Sequence, residues 1–191
     1  AKSAVACRAA AGQRLFRRQE ILDHGAPGLE TEDQGDATRI TAHFADAAPL
    51  AALAAYLDRL AAIMTEAAET QIMPRFRSLG DGGIREKTGA LDLVTDADEK
   101  AEWQIRGACA KAFPTARFIG EESVERDRSL LDGIGDAELA IIVDPVDGTS
   151  NFAWGLPLFG VMASVIRKGV TVAGLIYDPV GRDWRKALKG E

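Results

Sequence analysis

The feature that most constrains this chain is the run Ile141-Ile142-Val143-Asp144-Pro145-Val146-Asp147-Gly148-Thr149. Three consecutive β-branched apolar residues read as a buried strand. Asp-Pro then forces a turn, because proline disfavours the helical region for the residue before it. The strand therefore delivers Asp144 to its C-terminal end, with Asp147 three residues on and able to point back to the same place. Gly148 removes a side chain, so the amides of Gly148 and Thr149 can approach an anion at a helix start.

The rest of the sequence supplies layers to bury that strand. Leu50, Leu53, Leu57, Leu60 and Met64 recur at steps of three and four, an apolar stripe on one helical face. Pro49 suits the first turn of this helix, and Pro74 with Gly80 marks its end. A turn-rich link, Gly80-Asp81-Gly82-Gly83, leads to a second helix expected from Asp98 to Ala112 and stopped by Phe113-Pro114. Beyond it, Arg117–Gly120, Leu139–Asp144, Leu158–Arg167, Thr171–Tyr177 and Asp183–Leu188 read as strands. Lys168-Gly169 and Asp178-Pro179-Val180-Gly181 are hairpin turns, so the last three strands should form an antiparallel meander. Two helices packed on a mainly antiparallel sheet make a layered α+β fold.

Charge and rare residues exclude several function classes. The 191 residues carry a net charge of −6, all of it contributed by 46–191. An acidic domain is a poor partner for nucleic acid but suits carboxylates gathered around a divalent cation. No apolar run is long enough to span a membrane. Cys7 and Cys109 form no C-x-x-C pair, which points to a reducing, cytoplasmic setting. His24 and His43 both lie near the N-terminus, so zinc and Ser-His-Asp readings lapse. Residues 1–45 differ from the remainder of the chain: bases without acids up to residue 19, then six acids without a base over 20–36. They are expected to be an irregular or poorly ordered extension, with the catalytic domain at 46–191.

Three acidic clusters fall where elements begin or end: Asp96-Ala97-Asp98, Gly120-Glu121-Glu122-Ser123 and Asp144-Pro145-Val146-Asp147. The third is the specific one, since hard carboxylate oxygens beside phosphate-ready amides suit Mg²⁺. Other acid motifs fail on spacing. A haloacid dehalogenase nucleophile needs acids two apart, and Asp144 and Asp147 are three apart. Lys100 occupies a ligand position of any EF-hand loop starting at Asp96, and no P-loop exists.

Asp144–Phe152, read as Asp-Pro-Val-Asp-Gly-Thr-Ser-Asn-Phe, resembles the signature of the inositol monophosphatase family, lithium-sensitive Mg²⁺-dependent phosphomonoesterases. Gly120-Glu121-Glu122-Ser123 resembles the family's first metal motif, and Lys87 through Asp98 is similar to its catalytic-loop segment. The resemblance implies a layered αβαβα sugar-phosphatase-type fold. It implies that Glu121, Asp144 and the Val146 carbonyl bind one Mg²⁺, with Asp144 and Asp147 serving a second. Asp98 and Thr149 would orient and activate the attacking water, Glu122 would support from behind, and Lys87 would sit on a mobile loop over the site. Asp147, Gly148, Thr149 and Ser150 would face the phosphate. The implied partner is a small phosphorylated substrate, inositol monophosphate first, with histidinol phosphate or fructose 1,6-bisphosphate as alternatives; the family often forms homodimers. The family's second half carries a Trp-Asp motif. Here Trp103, Trp154 and Trp184 precede Gln, Gly and Arg, so the chain is expected to match the N-terminal portion only. A non-catalytic fragment or interaction module is the competing expectation.

Overall fold

The protein is described by a computed structural model over residues 29–34, 37–42, 50–80, 83–89 and 92–189; side chains are described over 53–80, 83–85 and 93–189. Two strands, β1 (Leu29–Gln34) and β2 (Ala37–Ala42), pair antiparallel within the segment expected to be irregular. The β-branched residues Thr31, Thr38, Ile40 and Thr41 favour extended backbone there. The remainder of 1–45 lies outside the described residues.

Helix α1 (Leu50–Ala67) carries the predicted stripe. Leu57, Leu60 and Met64 are buried, and so are Tyr56, Ile63 and Ala67. Each such side chain contributes on the order of 1.5–3 kcal/mol when fully removed from water, alanine less. The winding changes before it ends: Ala68–Ile72 widens so that the Met73 N–H bonds to the Ala68 carbonyl, and Met73–Arg75 tightens into a 3₁₀ turn. Pro74 explains the change, because it has no N–H to continue the ladder.

A second hairpin stands where the sequence suggests a link and a loop. Strands β3 (Ile84–Gly89) and β4 (Asp92–Thr95) pair antiparallel there. Their polar, short segments lack the alternation that announces strands. Helix α2 (Asp96–Ala112) starts two residues before the expected Asp98. Thr95 is its N-cap, accepting from the Ala97 N–H, while Asp98 reaches back to the Thr95 N–H in a capping box.

The main sheet has five strands in sequence order: β5 (Arg117–Gly120), β6 (Ala140–Asp147), β7 (Gly160–Arg167), β8 (Val170–Asp178) and β9 (Asp183–Leu188). β5 and β6 run parallel and the other pairs antiparallel, giving the expected meander. Two short helices, α3 (Glu121–Arg126) and α4 (Thr149–Ala153), follow β5 and β6 directly. Helices α1 and α2 share one core with the sheet, in which Ile105, Cys109 and Phe113 lie with Ile141, Val143 and Val165. Tyr56 stacks on Phe113 with ring centroids 4.0 Å apart.

The expectation that β6 ends at Asp144 is corrected. The strand continues to Asp147, but its pairing with β7 slips: Asp144 pairs with Met162 and Asp147 with Gly160. A bulge thus accommodates Pro145, which cannot donate to a ladder. Among the described residues, no helix is long and apolar enough to cross a membrane.

Candidate functional site

Parallel pairing of β5 with β6 builds the site. Gly120 is in register with Val143, the last pair of the two strands, so the next residues, Glu121 at the start of α3 and Asp144 at the bulge of β6, emerge side by side. The two carboxyl groups are hydrogen-bonded to one another. Burial, first, and the nearby charges of Glu121, Asp147 and Asp98 push the Asp144 carboxyl up to about 9. The cause is carboxylates crowded together with only part of their surface open to water. The Asp144 side chain also accepts from the Val146 N–H at 3.1 Å, which fixes the turn. Asp147 lies on the exposed rim.

Asp98 reaches this cluster indirectly. It is fully buried in the first turn of α2, where it accepts from both the N–H and the hydroxyl of Thr95. Its other oxygen accepts from the Thr149 hydroxyl at 3.1 Å. Burial raises the Asp98 carboxyl above its usual range, and these hydrogen bonds oppose the rise. The Thr149 hydroxyl lies equally within reach of the Val146 carbonyl, at 3.0 Å, and shares one proton between the two acceptors. The Val146 carbonyl keeps a second lone pair for another partner.

Gly148 is the left-handed hinge between β6 and α4, with φ +93°. A Cβ here would stand 2.8 Å from the Leu158 carbonyl, so no other residue fits without a shift. Ser150 is half-buried in the first turn of α4. Asn151 belongs to the motif without an expected contact: its side-chain amide donates to the Leu158 carbonyl at 2.7 Å and ties down the loop after α4. Lys87 falls within β3 rather than on an irregular loop, and its side chain lies outside the described residues.

Sequence reasoning also misses Glu102. One turn beyond Asp98 on α2, it is buried, and it accepts from the backbone N–H groups of Glu122 and Ser123 at 2.7 and 3.3 Å. The Ser123 hydroxyl donates to it too, and Arg106 pairs with it at 3.0 Å. Glu122 is itself buried, with its carbonyl accepting from Arg126. The Asp98-x-x-x-Glu102 spacing, which puts both acids on one helix face, is the available signal.

Among the described residues, no three His, Cys, Asp or Glu side chains converge into a closed cation cage. The arrangement is instead an open pair, Glu121 and Asp144, with Asp147 at its edge. That donor set fits Mg²⁺, which is held by one or two carboxylates together with substrate phosphate oxygens rather than by an all-protein cage.

Comparison with known proteins identifies the family and the fold. The profile of the "Inositol monophosphatase family" matches residues 53–191. An inositol-1-monophosphatase of Caulobacter vibrioides is 41% identical over 107 residues, covering 54% of this chain and 40% of that protein. The solved extragenic suppressor protein suhB of Bartonella henselae is 30% identical with a TM-score of 0.61, covering 72% of this chain and 50% of that one. An IMPase/NADP phosphatase solved with Mg²⁺ and phosphate shares the fold at a TM-score of 0.55 and 22% identity, covering 73% and 47%. The chain thus spans about half the length of the proteins it matches, or less.

Proposed function

The chain belongs to the inositol monophosphatase family, and from that premise we propose that its site serves the Mg²⁺-dependent hydrolysis of a small phosphate monoester, inositol monophosphate first. The observation that carries this reading is the half-buried, hydrogen-bonded pair of Glu121 and Asp144 beside Asp147. Two adjoining carboxylates with a third at their edge repel one another unless a cation is shared between them. Glu121, Asp144, the Val146 carbonyl and Asp147 would hold Mg²⁺. When bound, the cation neutralises the phosphate dianion and acidifies water.

The chain's own residues supply position. Thr149 presents its hydroxyl at the mouth of the site, where it can orient a water, and Asp98 anchors it from behind. Asp98 is too deeply buried, and too fully hydrogen-bonded, to meet water itself. It is therefore a positioning group acting through Thr149. Gly148 and Thr149 offer backbone amides where a phosphate oxygen would lie, and Asp147 and Ser150 flank them. Phosphoryl transfer asks a protein chiefly for such positioning and charge stabilisation. No covalent nucleophile is required.

The finer parts of the reading are lithium sensitivity, a cytoplasmic setting and a homodimeric state. Histidinol phosphate and fructose 1,6-bisphosphate are the alternative substrates. The testing experiment is equilibrium titration of the chain with Mg²⁺, compared with Glu121→Gln and Asp144→Asn. Saturable binding lost in both variants supports the reading; binding unaltered by either substitution sinks it.

A further inference from the structure

We propose that Glu102 is the residue that positions Glu121 and Glu122 in the site, acting as a cap supplied to α3 by a different helix. The proposal rests on the reading of Glu121 as a cation ligand. Helix α3 needs an outside cap, since its N-cap residue is Gly120, which has no side chain to offer. Its first amides would otherwise be orphaned at a buried helix start. The Glu102 carboxylate satisfies the amides of Glu122 and Ser123 with one oxygen and takes the Ser123 hydroxyl and Arg106 on the other.

Gly120 is the second half of the device. Its φ of −107° is open to any residue, so conformational freedom does not demand glycine. Close approach does: a Cβ on Gly120 would overlap the Glu102 carboxylate itself. The missing side chain is therefore the space that Glu102 fills. Because Asp98 and Glu102 stand one turn apart on α2, a single rigid helix grips both strand ends, β6 through Thr149 and β5 through the α3 amides. Glu102 touches neither substrate nor cation in this account. It sets where the Glu121 carboxylate stands relative to Asp144.

The test uses the full chain and two variants, Glu102→Gln and Gly120→Ala. The second leaves Glu102 present but crowds its carboxylate out of place, and so keeps the proposal testable if the first variant fails to fold. Amide hydrogen exchange at Glu122 and Ser123 is measured beside equilibrium Mg²⁺ titration. Both variants should exchange faster at those two amides with Ile141–Val143 unchanged. Mg²⁺ affinity should fall roughly 10- to 100-fold, the usual effect of losing a partner behind a ligand. Faster exchange with unchanged Mg²⁺ affinity would reduce Glu102 to a structural cap and overturn the proposal, as would unchanged exchange. If the unaltered chain bound no Mg²⁺, the cation reading would fall and the proposal with it. That case is recognised by local exchange still rising in the variants.

Discussion

The Thr149 hydroxyl stands 3.1 Å from the Asp98 carboxylate, joining the start of α4 to the first turn of α2 across 51 residues of sequence. Asp98 is buried and Thr149 only half-buried, so under the proposed function Thr149 is the member of the pair that a water can reach.

Replacing Thr149 by alanine should therefore slow turnover more than it weakens substrate binding. With general acid–base and positioning effects typically 10²–10⁴-fold, we expect kcat to fall about 10²-fold and KM to change little. Thr149→Ser should retain most of the rate. Steady-state kinetics on the two variants check this, and a pure KM defect in Thr149→Ala would contradict it.

Asp144 sets a pH dependence. Its native carboxyl is raised from 3.8 to about 9 by burial and by Glu121, so over that range the native chain holds a proton the unfolded chain has released. Stability of the cation-free chain should fall as pH rises through the window. Thermal melts in chelator should show the decline, and Asp144→Asn should flatten it and raise the melting temperature near pH 8. Added Mg²⁺ should stabilise the unaltered chain and not the variant. A wild-type melting temperature that rises across the window in chelator would refute this.

Gly148→Ala probes the hinge. With φ at +93° and the Leu158 carbonyl 2.8 Å from a new Cβ, the substitution is strained twice over. It should cost on the order of 1–3 kcal/mol in urea unfolding, the usual size of a backbone held in a sparsely populated region. A loss below a few tenths of a kcal/mol would show that the turn adapts freely.

Cys109 should be inert while the fold persists. Burial pushes its thiol up to about 12, with Arg59 opposing, so almost no thiolate exists at pH 9. Iodoacetamide at that pH should leave the Cys109 peptide unmodified until urea unfolds the chain. Rapid native labelling would contradict the packing of α1 against α2. The linkage sign is the same as for Asp144: this thiol's contribution to stability is lost as pH rises from 9.0 towards about 12.

How much of this is legible in sequence depends on the kind of signal. The α1 stripe, the end of α2 at Ala112, and the boundaries of β5 and β9 follow from periodicity and breakers. Asp144-Pro145 foretells a break, yet the strand resumes past it, because a bulge satisfies the ladder without the proline's donor. The β3–β4 hairpin is hidden because Arg85, Glu86 and Lys87 show no apolar alternation. Thr95 is hidden as a cap because its neighbours Asp96 and Asp98 are equally good cap residues. The acids Glu121, Asp144 and Asp147 can be named from motif spacing. That Glu121 and Asp144 meet requires the parallel register of Gly120 with Val143, which no local pattern carries. Glu102 escapes for the same reason, since its partners lie 20 and 21 residues away.

The most direct test of the central claim is phosphate release from myo-inositol 1-phosphate by the 191-residue chain, with and without Mg²⁺, beside Asp144→Asn. Release should require Mg²⁺ and disappear in the variant. No release from folded chain at saturating Mg²⁺, or release that Asp144→Asn leaves intact, would contradict it.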